Sequence, residues 1–216
     1  MDFTKEQIYH VFNRGNNSQT LFFSRENYVT FLSGMEEYIK PFASILAYCI
    51  LPNHFHMMLE VENERLEWYT STTSSRRAKS VTKYRSLNDS IAIMLRLYTR
   101  AVNSEDHKRG PLFHQRTKAI CLTRPEYAPV YFQNHFGDLG NRPMKEKEYP
   151  KVCFDYIHLN PVTAKVVENP EDWEFSSYAD YFAGREVSLV NYGRAKKLGL
   201  LKSKASNVFR PLIDWY

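Results

Sequence analysis

His54-Phe55-His56 is the first set of side chains whose types and spacing suit chemistry. On a β-strand, side chains two apart point to the same face, so the two imidazoles project together while Phe55 turns into the core. Two neutral imidazoles at this spacing can grip one divalent cation, Mg²⁺ or Mn²⁺. They leave most of its shell open to water and phosphate oxygens, which suits a catalytic ion. The same pair also fits two histidines satisfied on an ordinary strand. Tyr156 and Asn160 form the second set. They lie i and i+4 on a helix expected to open at Pro150, so they share a face. A tyrosine can serve as a covalent nucleophile. Its phenol, with a reference pKa of about 10, needs a metal ion or a base to help it at neutral pH. Asn160 offers an amide oxygen that could complete a metal shell. With 15 tyrosines in the chain, Tyr156 stands out only through its context.

The charge distribution points to a partner. The chain of 216 residues has a net charge of +5. Residues 76–118 hold eleven basic side chains against three acidic ones, and residues 191–216 hold six against one. The remainder is therefore acidic. Two basic zones on an otherwise acidic chain suit a polyanion, because each neutralised phosphate releases condensed counterions. A solvated surface is the plainer alternative.

Composition excludes several classes. Aromatics at 15% are too many for a disordered chain. The longest apolar run, residues 45–51, is far short of a membrane span, which needs about 20 residues. The first residues carry no pattern of a secretory signal. Cys49, Cys121 and Cys153 are odd in number and far apart, as reduced core thiols of a cytoplasmic protein would be.

The elements that must position these groups follow from periodicity. Residues 7–14 alternate as a half-buried strand, and Gly15 to Ser18 is turn chemistry. Ser24 caps a helix through Phe31 and Met35. Residues 42–51 and 54–61 are two strands around a Pro52-Asn53 turn, an antiparallel hairpin. Residues 69–80 are basic and Ser/Thr-rich, a loop within the domain. Helical spacing covers residues 90–102, and residues 118–122 form a short strand. Residues 125–136 suggest a helix, and a further helix opens at Pro150 and ends at Asn160-Pro161. The order β-α-β-β-α-β-α-α predicts an α+β fold, one antiparallel sheet with helices packed on it. The pattern divides the chain into a domain at residues 1–183 and a basic C-terminal extension at residues 184–216.

Several segments occur in a telling order. They are Asn13-Arg14-Gly15-Asn16, then residues 51–60 with Pro-Asn-His-Phe-His, then Gly110 to Phe113 and Arg116 to Ala119, then Tyr156-Ile157-His158-Leu159-Asn160-Pro161, and then Trp173 to Tyr178. This series resembles the bacterial tyrosine transposases of the His-hydrophobic-His (HUH) class, and within them the REP-associated branch. The match spans roughly residues 7–180. The resemblance implies a ferredoxin-like fold and metal-dependent cutting and rejoining of single-stranded, hairpin DNA. It implies His54 and His56 as metal ligands, Asn160 as a further ligand one turn after the tyrosine, and Tyr156 as the nucleophile forming a 5′-phosphotyrosine. His114-Gln115 and Thr117 depart from the family pattern before and after the arginine. The 100-residue gap between His56 and Tyr156 favours the REP-associated branch, whose members tend to act as monomers.

Single-stranded DNA is held by cations along its backbone and by aromatics stacked on bases. Arg76, Arg77, Arg116 and Lys118 are the backbone candidates, and Asn13 and Arg14 stand where they could reach a base or phosphate. Two other readings compete. One is a domesticated relative that binds DNA or RNA hairpins without turnover. The other is a metal-dependent hydrolase of small phosphate esters, which would have little use for two basic zones.

Overall fold

β2 (Ala43–Leu51) is buried along its whole length, and β3 (His54–Val61) nearly so. A strand without a polar face must be covered on both sides. These two pair antiparallel around the Pro52-Asn53 turn, and β1 (Ile8–Arg14) and β6 (Lys118–Cys121) extend the sheet in the order β2-β3-β1-β6. The computed structural model describes residues 2–72, 80–105, 109–124, 148–185 and 189–201. With α1 (Arg25–Tyr38) between β1 and β2, and α2 (Leu87–Glu105) between β3 and β6, the core is a β-α-β-β-α-β unit. All its strand pairs are antiparallel, so it is a ferredoxin-like α+β fold.

The two sheet faces carry separate cores. Phe55, Met57 and Leu59 pack with Phe31 and Met35 of α1 and Ile91, Met94 and Tyr98 of α2. On the other face Phe12, Leu46 and Met58 meet Phe154 and Ile157 of α3 (Tyr149–Thr163). A register shift between Ile45 and Ala47 turns Leu46 and Ala47 both toward α3. The helix starts are chemically marked. Ser24 and Asn27 form a reciprocal capping box on α1. Ser86 and Asp89 do the same at α2, which therefore begins three residues before the expected residue 90.

Two expectations are corrected. Residues 69–80 are not simply a loop: β4 (Arg65–Thr72) and β5 (Ser80–Ser86) form an antiparallel hairpin apart from the main sheet. Thr, Val and Tyr in that stretch favour strand, and the run of Ser and Arg masks the signal. Asn160-Pro161 does not end its helix, which runs on to Thr163. Pro161 sits in the last turn, where its missing N–H costs one hydrogen bond and its carbonyl caps Val166. α4 (Tyr178–Phe182) closes the segment before the C-terminal extension, whose described residues 189–201 hold α5 (Tyr192–Lys197). Val190, Ala195 and Leu200 of that stretch are buried in the two cores, and Arg194 pairs with Glu60 of β3. The expected helix at residues 125–136, and Arg76 and Arg77, lie outside the described residues. The three cysteines are buried and free. Among the described residues no helix is long and apolar enough to cross a membrane.

Candidate functional site

His54 and His56 open β3 on the face turned to α3, and Phe55 between them is fully buried on the opposite face. Alternation along the strand thus places the two imidazoles as expected, with ring centroids 5.1 Å apart. Tyr156 and Asn160 rise from one face of α3 to meet them. The Tyr156 ring stands edge-on to His56 at 5.3 Å, and Asn160 Oδ1 lies 3.0 Å from His54 Nε2. Side chains a hundred residues apart therefore converge within one chain. α3 is held in place from behind: His158 Nε2 meets Ser177 Oγ at 2.8 Å, and that oxygen accepts the N–H of Tyr48 on β2.

A third histidine belongs to the group. His10 of β1, fully buried, places Nε2 2.9 Å from His56 Nδ1. Its ring also lies 6.0 Å from that of Tyr156. Sequence reasoning passed over it, although a histidine in phase with Ile8 and Phe12 on an apolar strand face was a readable signal.

The protonation of these rings follows from their surroundings. Burial holds the pKa of His54 below the ordinary histidine value. Burial lowers that of His56 further, helped by the neighbouring His10 and His54. Both rings are neutral at pH 7, with one N–H each. His54 nevertheless faces amide oxygens at both nitrogens, Asn53 Oδ1 at 2.7 Å and Asn160 Oδ1 at 3.0 Å. A neutral ring can donate to only one of them. With Nδ1–H given to Asn53, the Nε2 lone pair and the Asn160 oxygen are two acceptors side by side. His56 Nε2 is buried without a hydrogen-bond partner. In the tautomers with Nδ1–H donated to Asn53 and to His10, the two Nε2 lone pairs and the Asn160 oxygen form an electron-rich lining. Among the described residues no three His, Cys, Asp or Glu side chains are grouped to hold a metal.

His54 separates two cavities. The one on the Tyr156 side, about 260 Å³, is lined by Asn53, His54, Tyr156 and Asn160. The other, about 200 Å³, is rimmed by Arg14, His114, Arg116 and Lys118. Arg14, Arg116 and Lys118 are exposed there, so three of the expected phosphate contacts ring one opening. His114 joins them on the rim. Asn13 has a different task. It is buried, and its amide donates to His114 O at 3.1 Å and Thr117 Oγ1 at 2.9 Å. It has no N–H left to offer a ligand, and it holds the segment carrying Arg116 against β1. The rim is closed below by the turn after β1, where Gly15 N donates to Asn53 O at 2.7 Å. A Cβ on Gly15 would lie 2.0 Å from Gln19 O, so only glycine fits this turn.

No family model matches the chain, and no curated protein matches it in sequence. Among solved structures, a REP-associated tyrosine transposase bound to a REP hairpin matches with a TM-score of 0.51. The chain shares that fold. The match covers 88% of each chain at 14% sequence identity. It therefore describes the backbone arrangement, and the chemistry rests on the side chains above.

Proposed function

We propose that this protein is a metal-dependent tyrosine nuclease and strand transferase of the REP-associated transposase type, acting on single-stranded or hairpin DNA. One observation carries the reading: Tyr156, His56, His54 and Asn160 meet at one point between β3 and α3. The hairpin-bound transposase with the same fold supports the class of substrate. The orphaned His56 Nε2 and the facing acceptors of His54 and Asn160 fit a small divalent cation, Mg²⁺ or Mn²⁺. His54, His56 and Asn160 would hold it, and it would supply charge to polarise a phosphate oxygen.

The chain's own residues do the rest. Tyr156 attacks the phosphorus through its phenol oxygen. The new bond is the 5′-phosphotyrosine ester; the bond that breaks joins phosphorus to the 3′-oxygen, which leaves as a 3′-hydroxyl carrying the proton. Reversal by another 3′-hydroxyl rejoins DNA and needs no external energy source. Packing of Tyr156 against His10 and His56 fixes the ring before DNA arrives, so little entropy is lost at the chemical step. Arg14, Arg116 and Lys118 pull the backbone into the adjoining cavity. Because the tyrosine reaches the histidines of its own chain, one monomer holds a complete site.

The test is incubation of the protein with end-labelled hairpin DNA carrying a single-stranded flank, with Mn²⁺ or Mg²⁺. A covalent adduct that disappears on chelation and in Tyr156→Phe is expected. Tight binding without adduct under any metal favours the alternative, a hairpin-binding protein without turnover.

A further inference from the structure

Attack by a phenol and departure of the 3′-oxygen take place on opposite sides of the phosphorus, because attacking and leaving oxygens stand roughly in line. Tyr156 lines the cavity on one side of His54. For a phosphate seated at His54 and His56, the leaving oxygen is therefore directed into the other cavity, about 200 Å³, which both histidines also line. Negative charge grows on that oxygen as its bond to phosphorus breaks. A fixed N–H aimed at the oxygen lowers the barrier.

His114 meets these requirements. It lines that second cavity and is exposed there. Its backbone is clamped to β1 at both polar atoms: its N–H donates to Arg14 O at 2.8 Å, and its carbonyl accepts from Asn13 Nδ2 at 3.1 Å. Phe113 just before it is buried in the core and bridges to Gly15. The residue is thus set in place before DNA arrives, as a donor to a transition state must be. The Arg116 N–H donates to His114 Nδ1 at 3.5 Å. In the tautomer that accepts it, the ring carries its own hydrogen on Nε2. Arg14, Arg116 and Lys118 beside it are long, exposed cations suited to phosphates along the strand.

We propose that His114 is a catalytic residue that donates its Nε2–H to the departing 3′-oxygen. The inference rests on the nuclease reading above. In this step the bond from the phenol oxygen to phosphorus forms. The bond from phosphorus to the 3′-oxygen breaks, and its electron pair goes to that oxygen. The phenol proton passes to water, and water returns one to the 3′-oxygen. His114 keeps its proton throughout. In rejoining, the same hydrogen bond serves the same transition state in reverse.

Replacing the leaving atom tests this. Hairpin DNA with a single-stranded flank is made with either oxygen or sulfur as the 3′-bridging atom at the cut mapped with the parent. Adduct formation by the full chain is timed in single turnover with Mn²⁺, at saturating protein so that affinity plays no part. A thiolate leaves without help, since a thiol has a pKa of about 8.5 against about 15.7 for water. On the oxygen substrate His114→Ala is expected to slow adduct formation about 100-fold, the scale for one preorganised donor. His114→Phe does the same, and His114→Gln, which keeps an N–H, recovers part of the rate. On the sulfur substrate all three react within threefold of the parent. Circular dichroism checks folding; if His114→Ala does not fold, His114→Phe, which keeps a flat ring, decides. Equal slowing on both substrates, or a rate on oxygen within twofold of the parent, overturns the inference and leaves the nuclease reading standing. No adduct from the parent on either substrate refutes the nuclease reading, and this inference with it.

Discussion

His10 gives the sharpest handle on the proposed metal site, because it is fully buried and reaches the proposed ligands through His56. Its Nε2 lies 2.9 Å from His56 Nδ1, in a fully buried position. If His56 donates Nδ1–H across that bond, its Nε2 carries the lone pair that faces the site. His10→Ala removes this constraint. The variant leaves His56 Nδ1 unpaired, which costs about 1–3 kcal/mol. It also opens a ring-sized void, which adds about 1–2 kcal/mol. Thermal unfolding is therefore expected to fall by roughly 2–5 kcal/mol in stability terms. The decisive effect lies elsewhere. Loss of an outer partner of a metal-ligating histidine lowers metal affinity about 10- to 100-fold. Titration of Mn²⁺ followed by electron paramagnetic resonance reads this without any cleavage assay. His10→Gln, whose amide still reaches a neighbour, recovers part of the affinity and serves as the test if the alanine variant does not fold. Folded His10 variants that bind Mn²⁺ within twofold of the parent would refute the assignment of His10 as the group that orients His56.

Two further outcomes follow from charge and burial. His54, His56 and His158 all have depressed folded pKa values, with His158 pushed down to about 3 by burial. The unfolded chain therefore binds protons that the folded one refuses as pH falls below about 6.5, and stability drops by up to about 1.4 kcal/mol per pH unit per histidine. Melting temperature should hold above pH 7.5 and decline toward pH 6, with a shallower slope in His158→Gln. Below that, Asp180, its carboxyl raised to about 6 by burial, takes up a proton in the folded state and offsets part of the loss. A flat profile between pH 7.5 and 6 contradicts the burial argument. Separately, Arg116→Ala should weaken hairpin DNA binding and reduce the slope of log K against log salt by about 1. An unchanged slope removes Arg116 from the phosphate contacts.

What was legible in the sequence was whatever depends on local period. Alternation placed His54, Phe55 and His56 on the correct faces, and i,i+4 spacing put Tyr156 and Asn160 on one helix face. The same periodicities gave β1, α1, β2, β3 and the middle of α2. Local signals failed where two tendencies compete within a few residues: the β4–β5 hairpin hidden by serines and arginines, and α3 running two residues past Pro161. Contacts between distant elements were out of reach for a different reason. That His10 meets His56 depends on how β1 registers against β3, and that Asn13 spends its amide on His114 and Thr117 depends on where the chain returns a hundred residues later. Side-chain type and spacing state what a residue is able to do, whereas the packing of the sheet against α3 decides which partners it meets and which of its hydrogen bonds are already taken. For that reason the sequence determined the chemistry on offer, and only the tertiary structure decided that a phenol, three imidazoles and one amide share a single site.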